Sequence, residues 1–159
     1  MSRDGLTTCL WFNGQAEQAA HYYTSIFPDS SLGPATAQPE GMPSPPSDVM
    51  LVEFTIKGES FVALNGGPEF AFNEAVSFQI HCDDQDEVDY YWDRLTADGG
   101  EEGPCGWLKD KFGVSWQVIP TALLEMMGGS DAARVQRAAE AMLQMKRLDI
   151  AALEKAYNG

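Results

Sequence analysis

The sequence predicts an α+β domain in which a strand–helix–strands unit occurs twice and a helical tail follows. Short runs of alternating apolar and polar residues lie between turn residues, a pattern typical of half-buried strands. Two longer segments carry apolar residues at three- to four-residue spacing and end in proline or glycine, which is typical of helices. The order of elements is the same in both halves of the 159-residue chain, a length that suits one ordinary domain.

The first unit is predicted to span residues 6–66. Its helix covers residues 14–27, where alanine and aromatic residues recur at helical spacing, and Pro28 ends it. A Lys57-Gly58 turn closes a hairpin between the last two strands. Strands are predicted at residues 6–12, 31–37, 49–56 and 61–65.

A proline-rich segment at residues 39–47 interrupts the first unit. It contains four prolines and a glycine, too many for a central strand, so it is predicted to be a loop. Two interpretations stay open: a plain connector, or a lid over a pocket.

The second unit is predicted at residues 75–120. Its helix covers residues 84–95, and Asp84 with Glu87 fits a capping box at the start of that helix. Strands are predicted at residues 75–82, immediately before Pro104, at 107–109 and at 114–119.

Residues 121–159 form the predicted helical tail. Ser130 or Asp131 is placed to cap a helix whose alanine, valine, leucine and methionine residues recur at three- to four-residue spacing. Met142 and Met145 belong to this stripe, and methionine packs adaptably. We therefore expect the tail to pack against the core or against another subunit.

Composition excludes several partners and locations. The net charge of −14 repels nucleic acid and anionic lipid, and no cluster of lysine and arginine offsets it. No apolar run approaches the ~18 residues that a membrane-spanning helix needs, and no signal peptide is recognisable at the start. The three cysteines, Cys9, Cys82 and Cys105, lack metal-site or redox-motif spacing. We expect free thiols and a cytoplasmic protein, with no nucleic-acid and no membrane partner.

Three stretches carry a resemblance to a known family. They are FNGQAEQAAHYYTSIFP at residues 12–28, FQIHCDDQDEVDYYWDRL at residues 78–95 and GPCGWLKDKFGVSWQVIP at residues 103–120. Together they resemble the PhnB-like group of the vicinal oxygen chelate superfamily, over nearly the whole chain including the helical tail. The resemblance implies two βαβββ modules that form a curved mixed sheet around a cup, commonly in a homodimer.

Members of this group often carry the label 3-demethylubiquinone-9 3-methyltransferase, and the sequence argues against that activity. A Rossmann-like methyltransferase needs a glycine-rich turn after its first strand and alternating parallel strands and helices. This chain has no GxGxxG motif, and its strands are predicted in hairpins. No P-loop is present either.

The resemblance also implies where a metal would bind. Metal-dependent members of the superfamily place histidine, glutamine or glutamate ligands on inward-facing strand positions. Those positions correspond here to Thr7, Asn65, Ser77 and Gln117. All four side chains are neutral and weak ligands, whereas a catalytic zinc site usually has three histidine, cysteine or carboxylate ligands. We expect no metal and no other cofactor.

The predicted cup has a mixed polar and aromatic lining. Strand alternation puts Cys9 and Trp11 on the same side as Thr7, and Gln79 and His81 on the same side as Ser77. The predicted ligand-binding residues are Thr7, Cys9, Trp11, Asn65, Ser77, Gln79, Trp107 and Gln117.

Two further residues are weak catalytic candidates. His81 is either a general base at the rim of the cup or a solvent-facing histidine at a strand end. Glu53 is either a lone acid in the cup or a charge on an exposed strand. A catalytic thiolate at Cys105 is not expected, because no base is recognisable beside it.

Two function classes follow, with a methyltransferase ranked last. The first is a protein that binds a small organic molecule in its cup without a metal. The alternative is a lyase, isomerase or dioxygenase-type enzyme of the same superfamily. Metal analysis of the purified protein discriminates between them.

Overall fold

A computed structural model describes residues 5–41 and 47–159 of the chain. It divides into two compact units, Met1–Ala71 and Phe72–Gly159. Each unit holds one four-stranded mixed sheet, which confirms the α+β class. Residues 42–46 of the predicted loop lie outside the described residues, so the role of the loop as a lid stays a prediction. The cup formed by the two modules also stays a prediction.

The first unit is a mixed sheet with one long helix. Its elements are β1 (Thr8–Phe12), α1 (Ala16–Ile26), β2 (Ser31–Ala37), β3 (Val49–Ile56) and β4 (Glu59–Asn65). The strand order is β1-β4-β3-β2, with β1 parallel to β4 and the other pairs antiparallel. The predicted bounds of β2 and β3 are confirmed, whereas β4 begins two residues earlier than predicted.

The core of the first unit lies between α1 and one face of its sheet. Tyr23 on α1 is fully buried, and its ring stacks on Phe54 of β3 at 6.1 Å between centroids. The ring of Phe61 on β4 also stacks on Phe54, at 5.3 Å between centroids. Small alanines on α1 let the helix approach the sheet closely.

The second unit repeats the arrangement and adds three helices. Its elements are β5 (Ser77–Cys82), α2 (Gln85–Thr96), a short 3-10 turn (Ala97–Gly99), β6 (Glu101–Glu102), β7 (Trp107–Lys109), β8 (Ser115–Pro120), α3 (Thr121–Met127), α4 (Ala132–Leu143) and α5 (Ile150–Asn158). The strand order is β5-β8-β7-β6, and β5 runs parallel to β8. Among the described residues, no helix has the length and apolar character needed to cross a membrane.

The predicted capping box of α2 is present. The Asp84 side chain accepts a hydrogen bond from the backbone N–H of Glu87 at 2.9 Å, and the Glu87 carboxylate accepts one from the Asp83 N–H at 2.7 Å. Asp131 caps α4 in the same manner. Such caps each contribute roughly 0.5–2 kcal/mol to stability.

The helical tail packs within its own unit. Met142 and Met145 lie against a buried cluster that includes Leu123, Leu148 and Leu153. The methionine stripe is therefore used inside the second unit, and it no longer argues for a subunit interface. The homodimer stays a prediction from the resemblance alone.

Two pairs of hydrogen bonds connect the tail to the rest of the second unit. The backbone N–H groups of Cys105 and Gly106 donate to carbonyl groups of residues 145 and 146, both at 2.8 Å. The Gln85 side chain donates to the Leu148 carbonyl at 3.1 Å and accepts from the Ile150 N–H at 2.9 Å.

Candidate functional site

The second sheet has one face that packs against α2 and one face that points away from it. Ile80, Cys82 and Val118 are buried on the α2 face. Strand pairing places the alternate residues on the other face, hereafter the face away from α2. It carries Glu101, Trp107, Lys109, Ser115 and Gln117, together with Ser77, Gln79 and His81.

Three of the predicted binding residues meet on this face. The Gln117 amide nitrogen donates to Ser77 Oγ at 2.8 Å, and its amide oxygen lies 3.3 Å from the amide nitrogen of Gln79. The structure therefore brings Ser77, Gln79 and Gln117 together as a chain of neutral hydrogen bonds. Trp107 stands directly opposite Gln117 in the β7–β8 pair, so it belongs to the same group.

A cavity of about 440 Å³ lies at the β6–β7 side of this face. Ligand pockets commonly occupy roughly 300–1,000 Å³, so the cavity has the size for a small organic molecule. Its lining residues all come from the second unit: Glu74, Glu101, Glu102, Gly103, Pro104, Trp107, Leu108, Lys109 and Ser115.

Lys109 and Glu74 form an ion pair at the cavity. The hydrogen bond between them, helped by coulombic attraction, lowers the pKa of the Glu74 carboxyl and raises the pKa of the Lys109 ammonium. The two charges are thus held ionised at neutral pH. Because both groups are solvent-accessible, the pair contributes to local geometry more than to stability.

Ser115 is the unusual polar residue of the cavity. Only 1 % of its surface is exposed, and its Oγ has no hydrogen-bond partner among the described residues. A buried hydroxyl without a partner costs about 1–3 kcal/mol, so a group that supplies one is favoured there.

His81 lies on the same face but outside the cavity lining. It is exposed at the end of β5, opposite Ile119, which packs against the tail helices. Among the described residues, its side chain makes no ion pair or hydrogen bond with a carboxylate or with the glutamine chain. A role as general base stays a prediction without a second group to support it.

The first sheet also has a face away from its helix. Register places Cys9, Val62 and Glu53 in one row across this face, with Trp11 beside them. Thr7 is exposed and precedes β1 on the same side of the alternation. The structure thus groups Cys9, Trp11 and Glu53 as the strand pattern predicts, and it groups them within the first unit.

The Cys9 thiol on this face is not activated. Partial desolvation raises the pKa of the Cys9 thiol, although its side chain is exposed overall, so the protonated thiol prevails at neutral pH. The Trp11 indole N–H donates to the Gly67 carbonyl at 2.9 Å, and its ring meets Phe70 edge-on at 5.0 Å. A Cβ at Gly66 would overlap the Trp11 ring, so only glycine fits there.

Asn65 does not share a face with the other predicted binding residues. It is only 2 % exposed and pairs with Phe12, on the side of β4 that packs against α1. Its side-chain oxygen accepts the Ala16 N–H at 3.0 Å, and its amide nitrogen donates to the Val49 carbonyl at 2.9 Å. Asn65 therefore caps the start of α1, and we withdraw it from the candidate site.

Sequence reasoning missed the structural role of Asp110. This buried carboxylate accepts the backbone N–H groups of Phe112 and Val114, and its other oxygen accepts the Trp116 indole N–H at 2.9 Å. The available signal was an aspartate three residues before Gly113, in the predicted turn between two strands. Asp110, within the stretch 103–120 that carries part of the family resemblance, thus stabilises the β7–β8 hairpin.

The positions that correspond to metal ligands do not fit a divalent ion. Ser77 and Gln117 are neutral and already hydrogen-bonded to one another, Thr7 is an exposed neutral hydroxyl, and Asn65 is committed to backbone groups. Neutral oxygen donors compete poorly with water for such an ion. Within residues 5–41 and 47–159, no three His, Cys, Asp or Glu side chains cluster as a metal site would require.

The paired strand–helix–strands units define a protein of the vicinal oxygen chelate class. The family model described as 3-demethylubiquinone-9 3-methyltransferase matches residues 4–119, and the chain belongs to this PhnB-like family. The match ends before the helical tail, so the expectation that the resemblance includes the tail is wrong. Among curated proteins, none matches the chain.

Solved structures agree with this assignment. The PhnB protein of Bacillus cereus is 31% identical, with a TM-score of 0.64, and the alignment covers 72% of this chain and 98% of that protein. Protein PA1353 of Pseudomonas aeruginosa is 21% identical, with a TM-score of 0.55 and coverages of 72% and 96%. The fosfomycin resistance protein FosX of Listeria monocytogenes, solved with Mn(II) and sulfate, is 20% identical, with a TM-score of 0.50 and coverages of 74% and 92%. The last two show the fold alone.

Proposed function

We propose that this protein binds a small organic molecule, without a metal, on the face of the second sheet away from α2. The cavity beside Trp107 carries the proposal, because it combines ligand size with an aromatic wall and a buried hydroxyl that lacks a partner. The chain of Ser77, Gln117 and Gln79 supplies neutral donors and acceptors that can orient the ligand. The predicted binding role of Thr7, Cys9 and Trp11 in the first unit stays a prediction.

The metal-free part of the proposal rests on donor chemistry. No carboxylate or imidazole occupies a position that corresponds to a superfamily metal ligand. Elemental analysis after extensive dialysis tests it: one equivalent of zinc, iron, nickel or manganese per chain would overturn it and favour the enzyme alternative.

A thermal-shift screen of small organic molecules tests the binding part. A ligand present at 100 times its Kd stabilises the folded protein by about 2.7 kcal/mol, which is readily measured. We expect Gln117→Leu to remove the shift produced by a hit, because the substitution keeps the volume and deletes the amide. Gln136→Leu makes the same change at an exposed position on α4, where the amide bonds to Glu140 alone among the described residues, and it should leave the shift intact. Equal effects of the two substitutions would refute the proposed site.

The homodimer is a further proposal, supported by the oligomeric habit of PhnB-like relatives. Light scattering at micromolar concentration tests it, and a monomeric mass would contradict it.

A further inference from the structure

The cavity in the second unit carries an excess of negative charge. Glu74, Glu101 and Glu102 line it together with one basic residue, Lys109. Three carboxylates and one ammonium leave a formal charge of −2. Lys109 is committed to Glu74, so the excess belongs to the other two carboxylates.

These two carboxylates differ in what they contact. Glu102 accepts the Trp92 indole N–H at 2.9 Å, and its second oxygen lies 3.8 Å from the Lys146 ammonium. Glu101 stands opposite Lys109 in the β6–β7 pair, yet within the described part of the chain it forms no ion pair. The Glu101 carboxylate is therefore the one available to a ligand.

Two neighbours of this carboxylate favour a particular kind of ligand. The half-buried indole ring of Trp107 forms an apolar wall of the cavity, and an aromatic face beside a carboxylate attracts organic cations. The buried Ser115 Oγ lacks a partner and can accept a hydrogen bond from an N–H group. Glu101, Trp107 and Ser115 all line the same 440 Å³ space.

We propose that this cavity binds a small organic cation, a primary or substituted ammonium group on an aromatic or aliphatic skeleton. The ammonium group lies at Glu101, the skeleton rests on Trp107, and an N–H of the ligand reaches Ser115. The inference rests on the proposed function and adds the charge of the ligand. An anion of the same size would meet the excess of carboxylates, and a neutral molecule would leave the Glu101 charge balanced only by its attraction to Lys109, which is already paired with Glu74.

Three probes of nearly equal size test the charge preference on the full chain. They are 2-phenylethylammonium, 2-phenylethanol and phenylacetate, titrated at pH 7 and low salt and followed by calorimetry and by ligand-observed NMR. We expect the ammonium to bind about five-fold or more tighter than the alcohol, and phenylacetate to bind weakest. Added salt should reduce the difference in affinity between the ammonium and the alcohol, because the carboxylates are solvent-exposed and salt screens their charge.

Matched variants locate the interaction. Glu101→Gln should weaken ammonium binding about two- to five-fold and leave the alcohol unchanged. Glu125→Gln removes the same charge from an exposed position on α3, outside the cavity lining. It should leave the affinities of both the ammonium and the alcohol unchanged. Ser115→Ala should weaken binding of the ammonium more than that of the alcohol, because the three N–H donors of the ammonium can serve Glu101 and Ser115 together, whereas the alcohol has one O–H donor. Unfolding temperatures of all variants show that each one folds.

The results distinguish failure of the cation inference from failure of the proposed function. Equal affinity for the ammonium and the alcohol, no binding of the ammonium at millimolar concentration, or equal effects of Glu101→Gln and Glu125→Gln would each overturn the cation inference. The proposed function survives those results if a neutral ligand still raises the unfolding temperature and loses that effect in Gln117→Leu. The proposed function fails if no ligand of any charge raises the unfolding temperature in a way that Gln117→Leu abolishes.

Discussion

Asn65→Ala should destabilise the first unit strongly, because it removes two hydrogen bonds at once. The side chain accepts from the buried Ala16 N–H at the start of α1 and donates to the Val49 carbonyl at the start of β3. One amide thus joins a helix and two strands. The same substitution at a ligand-binding position on an open face would cost little.

The magnitude follows from the burial of the two backbone groups. Ala16 is fully buried, so its N–H loses its partner without gaining water, at about 1–3 kcal/mol. Val49 is partly exposed, so water can replace the lost donor and the cost there is about 0.5–1.5 kcal/mol. The free energy of unfolding should fall by about 2–4 kcal/mol in total, and Tm by roughly 5–15 °C for a chain of this size.

Urea unfolding followed by tryptophan fluorescence and far-ultraviolet circular dichroism measures the loss. Asn13→Ala is the matched control, since Asn13 is exposed in the loop before α1, and it should cost less than about 0.5 kcal/mol. A loss below about 1 kcal/mol for Asn65→Ala would refute the assignment of Asn65 as a structural cap.

Asn65→Asp separates the two hydrogen bonds. The aspartate keeps an acceptor for Ala16 but turns a second oxygen toward the Val49 carbonyl. Burial and this repulsion should raise the pKa of the new carboxyl, so its contribution to stability is present at low pH and is lost as pH rises through the raised pKa. The variant should therefore lose more stability at pH 7 than at pH 4, and an opposite trend would contradict the hydrogen-bond pattern.

Three other substitutions test the second unit. Gly106→Ala should destabilise by about 1–3 kcal/mol, because φ is +82° and an added Cβ would meet a β8 carbonyl oxygen at 2.8 Å; urea unfolding measures it. Asp110→Asn should lower Tm, because an NH₂ group must then face either the Trp116 indole N–H or two backbone N–H groups, and calorimetry detects the loss. Lys109→Met should raise the pKa of Glu74, measured by NMR titration, because the wild-type hydrogen bond lowers it; the pair persists above the ordinary carboxyl pKa and is lost as pH falls through the lowered one.

Each of these has its control. Gly58→Ala has a similar φ of +85° but nothing within 4 Å of the new Cβ, so a loss equal to that of Gly106→Ala would show that backbone strain, not contact, dominates. Asp86→Asn changes an exposed aspartate in the first turn of α2, and a loss matching that of Asp110→Asn would contradict the buried cluster. An unchanged Glu74 titration in Lys109→Met would contradict the ion pair.

The strand pattern predicted the fold because each alternation has one plainly apolar side. Val52, Phe54 and Ile56 alternate with polar or smaller residues, and these three side chains are the ones buried against α1. Element ends were less certain, since a terminal residue pairs or frays according to its neighbours across the sheet. Thus β4 gains Glu59 and Ser60, which pair with Ile56 and Thr55.

The position of Asn65 could have been read from the same pattern. Phe61 and Ala63 precede it at two-residue spacing and both are buried, so alternation alone assigns Asn65 to the core side. The resemblance to metal-binding relatives pointed to the opposite side. Local alternation was the better guide here, because strand geometry fixes the face whereas a transferred position depends on exact register.

The charged part of the cavity could not be predicted from the sequence. Glu74, Glu101 and Lys109 come from three separate segments, and only the pairing of β6 with β7 and the turn before β5 bring them together. No spacing rule connects such residues. Sequence reasoning therefore named the aromatic and amide residues of the proposed site but not the acidic ones.

The docking of the tail predicts an order of folding during synthesis. Residues 145–150 hold the Cys105-Gly106 turn and the Gln85 side chain, so α2 and the β7 turn lack these partners until the tail has left the ribosome. The first unit contains all of its strands by residue 65 and can form earlier. The family match stops at residue 119. A nascent chain stopped near residue 120 would leave Ile119 without the buried side chains of the tail that pack on it. The backbone N–H groups of Cys105 and Gly106 would also lack their hydrogen-bond partners in the tail. The family match thus ends inside the second unit, before the tail residues that complete the packing of that unit.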